Sequence, residues 1–145
     1  GDAAEMSHLV ERLAELQRHL SHLRAIRPQV HGPEDLRANL SLHNDVLFSL
    51  LMVCQLVIDI AGDIAARHGL RFDDYTEAVR TLASVEGFAP ELAEELSILP
   101  GFRNILMHEY VALDFERVIE ALDSLSPVDR FNKAVADYLD ADEQG

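Results

Sequence analysis

From Val46 to Ile60 the chain is almost unbroken apolar sequence, interrupted only by Ser49, Gln55 and Asp59. The run is shorter than the roughly 20 apolar residues that a membrane span needs. It therefore reads as a buried core helix. Because it is apolar on nearly every side, other helices must surround it. All the periodicity along the chain is helical, and no convincing alternating strand is found. The chain is predicted to be all-α.

Punctuation divides the sequence into five to six helices. The first runs from about Ala4 to Ile26, with Met6, Leu9, Val10, Leu13, Leu16, Leu20 and Leu23 recurring at three- and four-residue steps. It stops before Pro28, which disfavours helix in the residue ahead of it. Pro33, followed by Glu34 and Asp35, starts a second helix that continues to Arg67 or His68, where Gly69 stops it. At 1.5 Å per residue this is roughly 50 Å, the long axis of the molecule. A third helix follows Asp73 and Asp74 and ends near Gly87; a fourth starts at Pro90 and kinks at Pro100 and Gly101. Asp114 caps a fifth, Phe115 to Leu122, and Ser126-Pro127 opens a sixth, Val128 to Leu139. Asp140 to Gly145 is expected to fray. Short connections imply an antiparallel bundle. At 145 residues, 48% of them hydrophobic, the chain suits one compact domain over residues 1–145.

The formal charge of −14 excludes a general nucleic-acid binder, because such a surface repels phosphate. RNA binding would require a local group of arginines or a second subunit to build one. The acidity also favours a basic partner. One cysteine, Cys54, lies inside the apolar run, where it reads as a small buried hydrophobe rather than a thiolate. No basic leader or signal-peptide pattern is seen, and a cytoplasmic setting is expected. His19 and His22, three apart, with His8 earlier, lack a matching acidic or Cys ligand and read as surface histidines. No metal or cofactor is expected.

Chemistry concentrates in GFRNILMHEY, Gly101 to Tyr110. On one helix at about 100° per residue, Ile98, Phe102, Ile105 and Leu106 form a core stripe. Arg103 and Tyr110 share one flank, Asn104 and His108 the other, and Met107 lies opposite the core. Solvated or capping groups account for such residues as readily as a site does. Arg103 and His108 point about 140° apart within one chain. Two copies packed along this helix would bring both pairs into one cleft. Asp59 and Asp63 share a face at i, i+4; either Asp59 anchors an arginine or supports the cleft, or the two lie on a solvated or interface face.

The run Arg103, four residues, His108, one residue, Tyr110 matches the Arg-x4-His-x-Tyr motif of HepT toxins, of the HEPN superfamily. VIDIAGDIAARHGL and RFDDYTEAVRTLASVEGFAPELAEEL extend the similarity along most of the chain. The resemblance implies a homodimeric, HEPN-like helical toxin encoded beside a minimal nucleotidyltransferase (MNT) antitoxin. It implies metal-independent endoribonuclease activity on tRNA or mRNA. Arg103 and His108 of both protomers would be catalytic, Asn104 the supporting polar residue, and Tyr110 the tyrosine that the antitoxin adenylylates.

The residue types suit that chemistry. RNA carries its own nucleophile, the 2′-OH, so proton transfer by histidine and charge stabilisation by arginine suffice. The expected ends are a 2′,3′-cyclic phosphate and a 5′-OH. Two features pull against it: a bend at Pro100 would alter the cleft, and the acidity repels RNA. The alternatives are a non-catalytic accessory or substrate-binding subunit of a nucleotidyltransferase, and a protein whose working group is Tyr110 alone.

Overall fold

The computed structural model describes residues 2–144 of the chain. Its helices are α1 (Asp2–Ile26), α2 (Pro33–Ala38), α3 (Leu40–Arg67), α4 (Tyr75–Arg80), α5 (Pro90–Leu96), α6 (Leu99–His108), α7 (Phe115–Leu122) and α8 (Ser126–Gln144). Two 3₁₀ turns, Arg27–Gln29 and Thr81–Ser84, extend α1 and α4. No strand occurs among the described residues. The fold is an all-α helical bundle.

The apolar run sits at its centre. α3 packs against α1, α6, α4 and α2. It buries Val46, Leu50, Val53, Cys54, Val57, Ile60 and Ile64, among others, in one continuous core. Fully burying each such aliphatic side chain is worth about 1.5–3 kcal/mol before entropy is counted. α3 alone among the described helices is long and apolar enough to cross a membrane, yet more than half of its most apolar window is buried within the bundle. Side-chain pairs fix the direction of α1 on it: Arg12 pairs with Asp63, His19 meets Ser49, and His22 meets Asp45. Rising numbers on one helix meet falling numbers on the other, so the two are antiparallel. Leu9, Leu13, Leu16, Leu20 and Leu23 supply the buried stripe of α1.

Several boundaries differ from the sequence expectation. The second helix is two helices, because Asn39 leaves helical geometry (φ −115°, ψ 99°) and its side chain accepts from Leu42 N at 3.1 Å. An asparagine can cap a new helix as well as sit inside one, and here the cap prevails. The third element is a short α4 with a 3₁₀ extension that stops at Ser84, before Gly87. The fourth divides at Ser97 and Ile98, so Pro100 stands in the first turn of α6 rather than at a mid-helix kink. A proline there loses no intrahelical bond. Asp114 caps α7 by accepting from Glu116 N at 3.0 Å, at the expected limits. α8 runs on to Gln144, past the point where fraying was expected; Gly145 lies outside the described residues.

Candidate active site

The site is built where α6 crosses α3. Phe102 and Leu106 anchor α6 in the core, and Arg103 follows Phe102 onto the half-buried edge. Its Nε donates to Gln55 Oε1 at 2.9 Å, and its Nη1 donates to Asn104 Oδ1 at 3.0 Å. Gln55 in turn donates through Nε2 to Asp59 Oδ1 at 2.9 Å, one turn further along α3. That second bond settles which end of the amide faces the arginine. A carboxylate only accepts, so it takes the NH₂ end and turns the carbonyl toward Arg103. The guanidinium is therefore held by a relay of polar groups set into an otherwise apolar helix. Its Cζ also lies 5.8 Å from the ring centroid of Tyr75, the first residue of α4.

Asp59 does support Arg103, through Gln55 rather than by direct pairing. Asp63, expected on the same face, pairs with Arg12 of α1. Gln55 and Tyr75 were not singled out from the sequence. A glutamine breaking an apolar run is a signal for the first. The second is identifiable only once α4 is folded against α6.

His108 is the last residue of α6 and is exposed. The helix ends there: Glu109 has left helical geometry and its N–H closes onto Ile105 O at 2.9 Å. Tyr110 thus lies in the following turn, 64% exposed, and not on the flank of a continuing helix beside Arg103. Ile98, expected in the core stripe, is 71% exposed, because α6 begins after it and its direction is no longer set by the helix. Ile105 is half-buried and Met107 is exposed away from the core, as the helical wheel requires.

Cys54, next to Gln55, has its thiol pushed up to about 12, chiefly by burial; the nearby Arg103 charge pulls weakly the other way. It is a core residue with no thiolate at neutral pH. His19 is less exposed than a surface histidine. It lies 3.0 Å from Ser49 Oγ and edge-on to Phe48, and burial holds its pKa below the ordinary value. Among the described residues no group of three or more His, Cys, Asp or Glu side chains is placed to hold a metal ion.

A family model described as "Ribonuclease HepT-like" matches residues 10–135 of the chain. The chain belongs to the HepT-like ribonuclease family. The HepT-like fold is shared by solved structures at low identity. A toxin–antitoxin crystal structure with AMP-PNP aligns at a TM-score of 0.74 and 19% identity, over 88% of this chain and 96% of that one. A tri-AMPylated Shewanella oneidensis HEPN toxin in complex with its MNT antitoxin aligns at 0.69 and 18%, over 94% and 97%. YutE of Bacillus subtilis, a cytosolic protein of unknown function, aligns at 0.78 and 14%, over 94% and 91%. No curated protein sequence matches the chain. The HepT-like match spans α3 and α6 entire, and with them the whole Gln55–Arg103–His108–Tyr110 constellation.

Proposed function

We propose that this HepT-like chain is the toxin of a HEPN/MNT toxin–antitoxin pair, a metal-independent endoribonuclease acting as a homodimer in the cytoplasm on tRNA or mRNA. The observation that carries this reading is the relay from Asp59 through Gln55 to Arg103. It fixes a permanent cation at the edge of the bundle without neutralising it by direct ion pairing. An arginine so placed can offer its remaining N–H groups to a phosphate.

The dimer is supported by what surrounds that cation. Phe48, Met52, Gln55 and Asp59 follow one another at four-, three- and four-residue steps on one face of α3. Phe48 is 59% exposed and Met52 only half-buried. Met107 stands one turn from Arg103 on α6. Apolar residues interleaved with site groups suit a face covered by a second copy, which would also overcome the 140° divergence of Arg103 and His108.

In the composite cleft, one His108 accepts the 2′-OH proton as the 2′ oxygen attacks phosphorus. The bond from phosphorus to the 5′ oxygen breaks, and the partner copy's histidine donates a proton to that leaving oxygen. The two arginines stabilise the charge that builds on the phosphate. Products are a 2′,3′-cyclic phosphate and a 5′-OH. Asn104, bonded to Arg103, steadies the same guanidinium. Tyr110 stands on an exposed turn where an antitoxin can reach its hydroxyl, as the AMPylated toxin relative suggests. Adenylate there adds negative phosphate beside the cleft and repels RNA.

The test is cleavage of total tRNA and a defined RNA oligonucleotide by unmodified protein in EDTA, beside His108→Ala and Tyr110→Phe. Cyclic-phosphate ends that survive EDTA, vanish in His108→Ala and persist in Tyr110→Phe are the expected result. Equal cleavage by His108→Ala, or no cleavage by unmodified dimeric protein, would overturn the nuclease and favour an accessory subunit.

A further inference from the structure

Tyr75 borders two things at once. On one side is the Arg103 guanidinium, 5.8 Å from its ring centroid. It also lines a hollow of about 300 Å³ walled by Arg12, Asp59, Asp63, Gly62 and Phe72. The hollow has the volume of a small-molecule site at its lower limit, enough for one flat ring system and not for a stretch of nucleic acid. Tyr75 is 50% exposed, although α4 is fixed beneath it by the Asp74 cap, whose side chain accepts from Glu77 N at 2.8 Å. A large ring is thus presented from a capped helix with part of its surface in water. Phe72 closes the hollow against Gly62, where an added Cβ would meet the phenyl edge at 3.7 Å.

The charges of the walls select what enters. Arg12 is already paired with Asp63, and Asp59 adds a second carboxylate. Phosphate is therefore repelled from the hollow and left to Arg103, which lies against the Tyr75 ring. A neutral, planar group with hydrogen-bond donors on its edge is accepted. Asp59 receives Gln55 on Oδ1, and a carboxylate has capacity for further donors. Cytosine, adenine and guanine each present an exocyclic amino group, whereas the corresponding position of uracil is a carbonyl.

We propose that this hollow is a nucleobase subsite, in which a base flanking the phosphate held by Arg103 stacks on Tyr75 and directs its amino edge to Asp59. It deepens the ribonuclease reading and rests on Arg103 binding phosphate. The subsite prefers an amino-bearing base to uracil.

The chain contains no tryptophan, so Tyr75→Trp places a single tryptophan, excited selectively at the red edge, at the subsite. The full-length variant is titrated with short 2′-O-methyl oligonucleotides of cytosine, adenine or uracil, which bind but cannot be cleaved. Quenching by the cytosine or adenine oligomers at lower concentration than by uracil is expected. By anisotropy of labelled oligomers, Tyr75→Ala weakens binding from about fivefold to about a hundredfold, while Tyr75→Phe keeps it. Asp59→Asn removes the preference against uracil. If Tyr75→Ala binds as tightly as the parent while Arg103→Ala binds weakly, the subsite is wrong and the phosphate site stands. If the base preference persists in protein that cleaves no RNA, the subsite stands and the nuclease reading falls.

Discussion

Arg103 reaches from α6 to α3 and donates through Nε to the side-chain carbonyl of Gln55 at 2.9 Å, forty-eight residues earlier in the chain. The bond turns a flexible cation into an aimed one. Its removal is a clean test of whether aim matters. Gln55→Leu keeps the approximate volume and deletes both bonds of the amide. A hydrogen bond to a charged group contributes about 1.5–3 kcal/mol. If the whole of that serves the transition state, kcat falls about ten- to a hundredfold. KM should change less, and Gln55→Glu, which still accepts from Arg103 but pairs with the cation directly and repels Asp59, should not recover the rate. Full kcat in Gln55→Leu would mean that the relay only supports the fold.

Burial sets the second expectation, at His19. Its folded pKa lies below the ordinary 6.5, with burial the largest cause and Glu15 opposing it. The unfolded chain then binds a proton more readily than the folded one, so this residue's contribution to stability falls as pH drops below 6.5 toward the folded pKa. Denaturant midpoints measured from pH 7.5 down to 5 should decline more in the parent than in His19→Gln. Parallel curves would remove His19 as the cause.

Gly101 gives the third. It stands in the first turns of α6, and an added Cβ would meet nothing within 4 Å. Glycine inside a helix is less stable than alanine by roughly 0.5–1 kcal/mol. Gly101→Ala should raise the unfolding free energy by that amount, seen as a higher unfolding midpoint. A lower midpoint would mean that the open space above Gly101 is filled by a second copy.

How much of this was legible in the sequence depends on the range of the physics involved. The limits of α7 follow from a local device, the Asp114 cap before an amphipathic octet, and they were read correctly. The central placement of α3 follows from composition alone. The break at Asn39 was missed because its side chain caps equally well from an apparent helix interior, and only the fold of α2 across α3 favours the break. Ile98 and Tyr110 were misplaced for one shared reason. Helical periodicity holds only from Leu99 to His108, and both residues lie beyond those ends of α6. Gln55 and Tyr75 owe their roles to contacts across 48 and 28 positions, which no local pattern encodes.

The turn that carries Tyr110 has a consequence for how such a protein can be governed. The tyrosine is not part of the core, and it is exposed while the bundle remains closed. A group attached there need not wait for local unfolding, and its removal need not either. If Tyr110 is modified as proposed, activity and integrity would become separate variables: a population of these molecules could be held inert at full thermal stability, then released with no refolding lag.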